Sequence, residues 1–131
     1  RPPRADALAR AASVAEQIGD DSLRAQTLWI IAAAASPGDG GGVLARALEA
    51  RADAATRDIK SRLDQSWMWG DIAVTRARLG EAKAAQAAFR RGLDTAAGIE
   101  NAWGRARAFA RLALVLTQIG DAPARAEPAA R

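Results

Sequence analysis

The sequence predicts an all-α chain of about six helices, paired as antiparallel hairpins that stack into a solenoid. Three observations carry this. Apolar residues recur every three or four positions through six segments, the period of a helix with one buried face. Glycine, proline and aspartate cluster between those segments, where helices stop and start. The pattern then returns at an offset of about 40 residues, the mark of a repeat protein.

Residues 1–4, Arg-Pro-Pro-Arg, read as an extended lead-in, because proline lacks a donor and restricts the residue before it. A first helix is expected over 5–18, with Leu8, Ala11, Ala12, Ala15 and Ile18 on one face. Gly19 suits a left-handed C-cap, and Asp20, Asp21 and Ser22 suit the start of the next helix. That second helix spans 22–35, with Ala25, Leu28, Ile31, Ala32 and Ala35 inward. Ser36-Pro37-Gly38-Asp39-Gly40-Gly41-Gly42 ends it. This loop lacks the Lys-Ser/Thr of a phosphate-binding loop and follows no strand, so it reads as a hairpin turn.

A third helix spans 43–59, with Leu44, Leu48, Ala52, Ala55 and Ile59 in register. Ser61, three before Asp64, opens a fourth over 62–79, with Leu63, Ser66, Trp69, Ile72, Ala73 and Arg76 inward. Gly80 closes it. A fifth spans 81–97, with Ala85, Phe89, Leu93 and Ala96 inward. Gly98 and Asn101 mark the next break. A sixth spans 101–119, with Trp103, Ala106, Phe109, Leu112, Ala113 and Leu116 inward. Gly120-Asp121-Ala122-Pro123 is expected to end it and leave 121–131 of a single domain as a flexible tail or a truncated further helix.

The copies align position by position. Ile18, Ile59 and Ile99 correspond, as do Ala25, Ser66 and Ala106; Leu28, Trp69 and Phe109; Ile31, Ile72 and Leu112; Ala32, Ala73 and Ala113. The central copy carries Trp69, Ile72, Ala73, Gly80, Ala85, Phe89 and Gly92. In that order and spacing it resembles a tetratricopeptide repeat (TPR). The third copy keeps Phe109, Leu112, Ala113 and Gly120. It has Arg125 where the pattern asks for a small residue. The period is longer than the family's usual 34, and no proline closes any second helix. HEAT-type hairpins compete on period alone. The resemblance implies a right-handed TPR-like solenoid in which each hairpin buries its apolar face against its neighbours. The chain opens on what the repeat assigns as a second helix, and without Met. This phase points to a processed product or a fragment of a larger solenoid, and to self-association through uncovered ends.

Composition narrows function. The chain holds no Cys, His or Tyr, so thiolate chemistry, imidazole bases and the commonest metal ligand are missing. No catalytic residue, metal ligand or cofactor site is expected. Net charge is +4, with acidic and basic residues interspersed, which disfavours a nucleic-acid partner. No apolar run reaches the ~18–20 residues of a membrane span. The bias to alanine, and to arginine over lysine, points to a GC-rich bacterial genome.

A protein–protein interaction scaffold or accessory subunit is therefore the expected function, with a self-associating structural module as the alternative. In proteins that the chain resembles, the first helix of each hairpin lines a concave face. Carried over by position, that face presents Gln26, Trp29 and Ala33, then Trp67, Gly70, Val74 and Ala77, then Arg107, Ala110, Leu114 and Gln118. The partner-binding set is Gln26, Trp29, Trp67, Val74, Arg107, Leu114 and Gln118, for a peptide or protein partner. Tryptophan and arginine dominate binding hot spots. Trp69 belongs to the repeat's packing and Trp67 does not, although Trp29, Trp67 and Trp103 at helical spacing read first as core filling or a shield over a hairpin, with ligand contact as the alternative. Arg107 and Arg111, four apart, form a short basic stripe that reads first as a solvated face or as ion pairs to the fifth helix, with anion or acidic-peptide binding as the alternative.

Overall fold

The computed structural model describes the backbone of residues 3–35 and 42–126, and side chains through Ile119. Its elements are six helices: α1 (Pro3–Ala15), α2 (Asp21–Ala34), α3 (Val43–Arg57), α4 (Arg62–Arg78), α5 (Ala82–Ala97) and α6 (Ala102–Ala126). No described residue lies in a strand. The chain divides into two compact units, Arg1–Lys60 and Ser61–Arg131. Ser36 to Gly41, most of the glycine-rich loop, lie outside the described residues.

Helix starts follow the repeat. Asp20 Oδ1 accepts from the Leu23 N–H at 2.8 Å, Ser61 Oγ from Asp64 at 3.1 Å, and Asn101 Oδ1 from Gly104 at 2.6 Å. One side-chain oxygen thus satisfies an orphan donor at the same repeat position in all three copies. A second bond recurs too. Arg24 donates to the Ile18 carbonyl at 2.6 Å, and Arg105 to that of Ile99 at 2.9 Å. Both pairs are related by the offset of 81 residues that carries Ile18 onto Ile99.

Four local expectations change. Pro3 and Arg4 are helical, since proline's fixed φ suits a first helical turn, where its missing N–H would be unpaired anyway. α1 ends at Ala15, not 18, and Gly19 does not take positive φ. The turn closes instead through Gln17 N–H to Val14 and Ile18 N–H to Ala15. α6 runs on through Gly120 and Pro123 to Ala126, so 121–126 are helical, while 127–131 lie outside the described residues. Glycine in a helix interior costs only about 1 kcal/mol and needs a rewarded left-handed cap to stop a helix. Gly80 has such a cap: its φ is 79°, and the Glu81 N–H reaches back to the Arg76 carbonyl at 2.9 Å.

In the first unit, α2 packs against α3 and α1 against both. Ala12, Ala15, Ala25, Leu28, Ala32, Leu48 and Ala52 are buried, so small residues let these helices approach closely. Arg51 clamps Glu16 through two bonds, of 2.6 and 2.9 Å. That hydrogen bond, more than its charge alone, holds the Glu16 carboxyl below the usual carboxylate range and raises Arg51. The Lys60 backbone N–H, at 2.9 Å, likewise lowers Asp21.

In the second unit, α4 packs against both α5 and α6, and these two touch each other. Ala96, Ile99, Ala108 and Leu112 form the centre, with Leu63, Phe89 and Leu93 around it. Two glycines permit the approach. A Cβ on Gly92 would lie 3.0 Å from Leu112 Cδ2 and 3.4 Å from Trp69 Cβ. One on Gly70 would lie 3.1 Å from Val115 Cγ2. Trp69, Ile72, Ala73 and Ala85 are all buried, as the packing pattern requires.

The sixth helix turns differently from expectation. Gly104, Ala108, Leu112 and Val115 are its buried positions. Of the expected inward set only Leu112 is buried; Trp103, Ala106, Phe109, Ala113 and Leu116 are exposed. The repeat explains this. Phe109 and Ala113 copy Trp69 and Ala73, which are both buried, Trp69 against Gly92 of α5. Among the described residues no helix follows α6 to cover that stripe.

Candidate partner-binding site

Each unit places part of the expected surface. In the first, Gln26 and Ala33 are exposed on α2. Trp29 is half-buried, and its Nε1–H donates to Thr56 Oγ1 at 2.7 Å. Thr56 Oγ1 in turn donates to the Ala52 carbonyl at 2.8 Å. Trp29 is thus tied to α3, which is a packing role. A groove of about 340 Å³ in the same unit is lined by Glu16, Arg24, Arg51 and Asp58, among others. Glu16 and Arg51 there are already paired to each other, and Arg24 to a carbonyl.

In the second unit, α4 carries Trp67 and Asp71 one turn apart, and α6 carries Trp103, Arg107 and Arg111 at the same spacing. Packing of α4 on α6 brings the two rows together. The Arg107 guanidinium lies 4.8 Å from the Trp103 ring centre and 6.0 Å from that of Trp67. Arg111 lies 5.0 Å from the Trp67 ring and pairs with Asp71 at 3.6 Å. The basic stripe therefore pairs with α4, not with the fifth helix. Two guanidinium planes and two indoles form one continuous patch. Trp103 is 69% exposed, Arg107 is exposed and Trp67 is half-buried.

Two polar details mark the patch. Arg107 makes no ion pair among the described residues, so its planar fork stays available to a carboxylate. Trp67 Nε1 is buried with no acceptor, a state that costs about 1–3 kcal/mol. Below the patch Val74 is buried, and Gly70 is buried against Leu112 and Val115 of α6. They support the surface and do not form it, because the face that α4 turns to α6 is covered there. Leu114 is 68% exposed, and Gln118 and Ala110 are exposed further along α6.

Trp103 and Arg111 complete the patch and were not in the expected set. The i, i+4, i+8 row Trp103–Arg107–Arg111 was visible in the sequence. Helical period alone places Trp103 inward, and so conceals the row. Among the described residues no cluster of three acidic side chains could hold a metal ion. No helix among them is long and apolar enough to cross a membrane. Neither a protein-family model, a curated protein nor a solved structure matches the chain.

Proposed function

We propose that the chain is a protein–protein interaction scaffold or accessory subunit, built as a right-handed TPR-like solenoid, and that it has no catalytic activity of its own. The Trp67–Trp103–Arg107–Arg111 patch carries the reading. One exposed and one half-buried indole stacked with arginine supply large, stiff contact area at small entropic cost. The partner it suits is a peptide or protein segment that offers a carboxylate to Arg107 beside an apolar side chain on Trp103.

Affinity capture from the source cell with the wild type and with Trp67→Ala/Arg107→Ala tests this. The double variant is expected to keep its helical circular dichroism and lose the captured partners. Recovery of the same partners by both proteins would sink the reading. A second reading, a self-associating structural module, is favoured by the exposed apolar stripe Phe109, Ala113 and Leu116 on α6.

A further inference from the structure

The second unit shows how one helix of this chain seats on two others. α4 lies on α5 and α6, with Leu63 against Ala96, Ile99, Ala108 and Leu112. Trp69 Cβ meets the position of Gly92, and the Arg91 guanidinium stacks 4.8 Å over the Trp69 ring. The socket is therefore Arg91, Gly92, Ala96, Ile99, Ala108 and Leu112.

The same socket exists in the first unit and is open. A groove of about 520 Å³ between α1 and α2 is lined by Arg10, Ala11, Ala15, Ile18, Thr27 and Ile31, with Ala7 and Val14 at its side. Moved by the repeat offset of 81, those six become the six socket residues in order. The caps and the arginine–carbonyl bonds repeat at this offset too, so the correspondence is structural as well as sequential.

The helix that fits it is also present. α6 is α4 moved by 40: Leu63 becomes Trp103, Ser66 becomes Ala106, Trp69 becomes Phe109 and Ala73 becomes Ala113. On α4, Ser66, Trp69 and Ala73 are buried at 0–5% exposure. On α6 the counterparts are exposed, Phe109 at 39%. Two of the exchanges compensate in volume. Trp69 on Gly92 becomes the smaller Phe109 on the larger Ala11; Gly70 on Val115 becomes the larger Ala110 on the smaller Ala34. Arg10 stands ready to stack on Phe109 as Arg91 does on Trp69.

We propose that the α1–α2 groove of one copy receives α6 of a second copy, repeating between chains the seat that α5 and α6 give α4. The contact is heterologous, so each copy offers one groove and one helix, and association can continue from copy to copy. This builds on the second functional reading. It shares Trp103 with the peptide patch but uses neither Trp67 nor Arg107, so Trp67→Ala/Arg107→Ala leaves the seat intact while Ala7→Glu/Val14→Glu leaves the patch intact, and either reading can fail alone.

Sedimentation equilibrium of the full chain at about 100 μM, above the micromolar affinities of weak specific interfaces, is expected to show species larger than the monomer. Ala7→Glu/Val14→Glu blocks the groove and Phe109→Glu/Ala113→Glu blocks the helix, all at exposed positions. Each double variant alone should be monomeric. Mixed in equal amounts they retain one intact groove and one intact helix, and should form a dimer and nothing larger. A monomeric wild type, association that survives in either variant, or a mixture that stays monomeric overturns the proposal.

A covalent trap is independent of how well the glutamate variants fold. The chain has no cysteine, and the internal template sets the two Cβ positions 3.4 Å apart, close to the ~3.5–4.5 Å a disulfide requires. Oxidising a mixture of Ala11→Cys and Phe109→Cys should give the mixed dimer at least about tenfold above a Gly19→Cys and Phe109→Cys control. Equal yields would refute the seat.

Discussion

Trp69→Ala is the most informative single change, because four tryptophans let one residue type be compared in different surroundings. Trp69 is 5% exposed, under Arg91 and against Gly92. A tryptophan buries roughly 150–250 Å², worth about 4–6 kcal/mol at ~25 cal/mol per Å². Alanine keeps a little of that area, and buried aromatic truncations cost about 3–5 kcal/mol in practice. Loss of the arginine stack adds about 0.5–1 kcal/mol. A loss near 4 kcal/mol is a large share of a typical ~5–15 kcal/mol stability. It should lower the melting temperature by roughly 10–25 °C. Trp103→Ala, at 69% exposure, should cost about 0.5–1 kcal/mol, most of it the lost Arg107 stack. Urea unfolding followed by far-ultraviolet circular dichroism, with an unchanged m-value, measures both. A loss under ~1.5 kcal/mol at Trp69, or equal losses at the two sites, would refute the packing assignment.

Glycine substitutions separate conformation from space. Gly80→Ala meets open space but must hold a φ of 79°, so it should cost about 1–2 kcal/mol. Gly19→Ala, with open space and no positive φ, should be neutral or stabilising by up to ~1 kcal/mol; thermal melts of the pair decide it. The Glu16–Arg51 clamp sets a pH dependence. The folded-state pKa of Glu16 is depressed, so its contribution is fully present above the ordinary value of 4.5 and fades as pH falls through the lower folded value. With side chains 33–45% exposed, a double-mutant cycle at neutral pH should give no more than about 1 kcal/mol, falling with acid and with salt. A coupling that grows below pH 4 would contradict the assignment.

Much of the secondary structure was legible because its causes are local. Ser61 caps α4 through a bond to a residue three positions on, and Asp20 and Asn101 do the same for α2 and α6. Such signals need only a few neighbouring residues. Gly80 was legible for the same reason, and Gly19 was misread because another turn closed α1 first. The patch was legible only in part. Trp67 and Arg107 were singled out, but Val74 is buried and Trp103 is exposed, opposite to expectation. Repeat position assigns a residue to a helix face; it does not say whether another helix lies over that face.

Trp69 and Phe109 hold that distinction in one pair. The sequence by itself determined six helical segments, their caps and the repeat that makes these two residues equivalents, because periodicity and capping act within a turn or two of the chain. Only the tertiary structure decided that Trp69 is 5% exposed and Phe109 39% exposed. The physical reason is that burial belongs to a pair of surfaces. α5 covers the stripe on α4, and the same stripe on α6 stands open to whatever apolar face can match it.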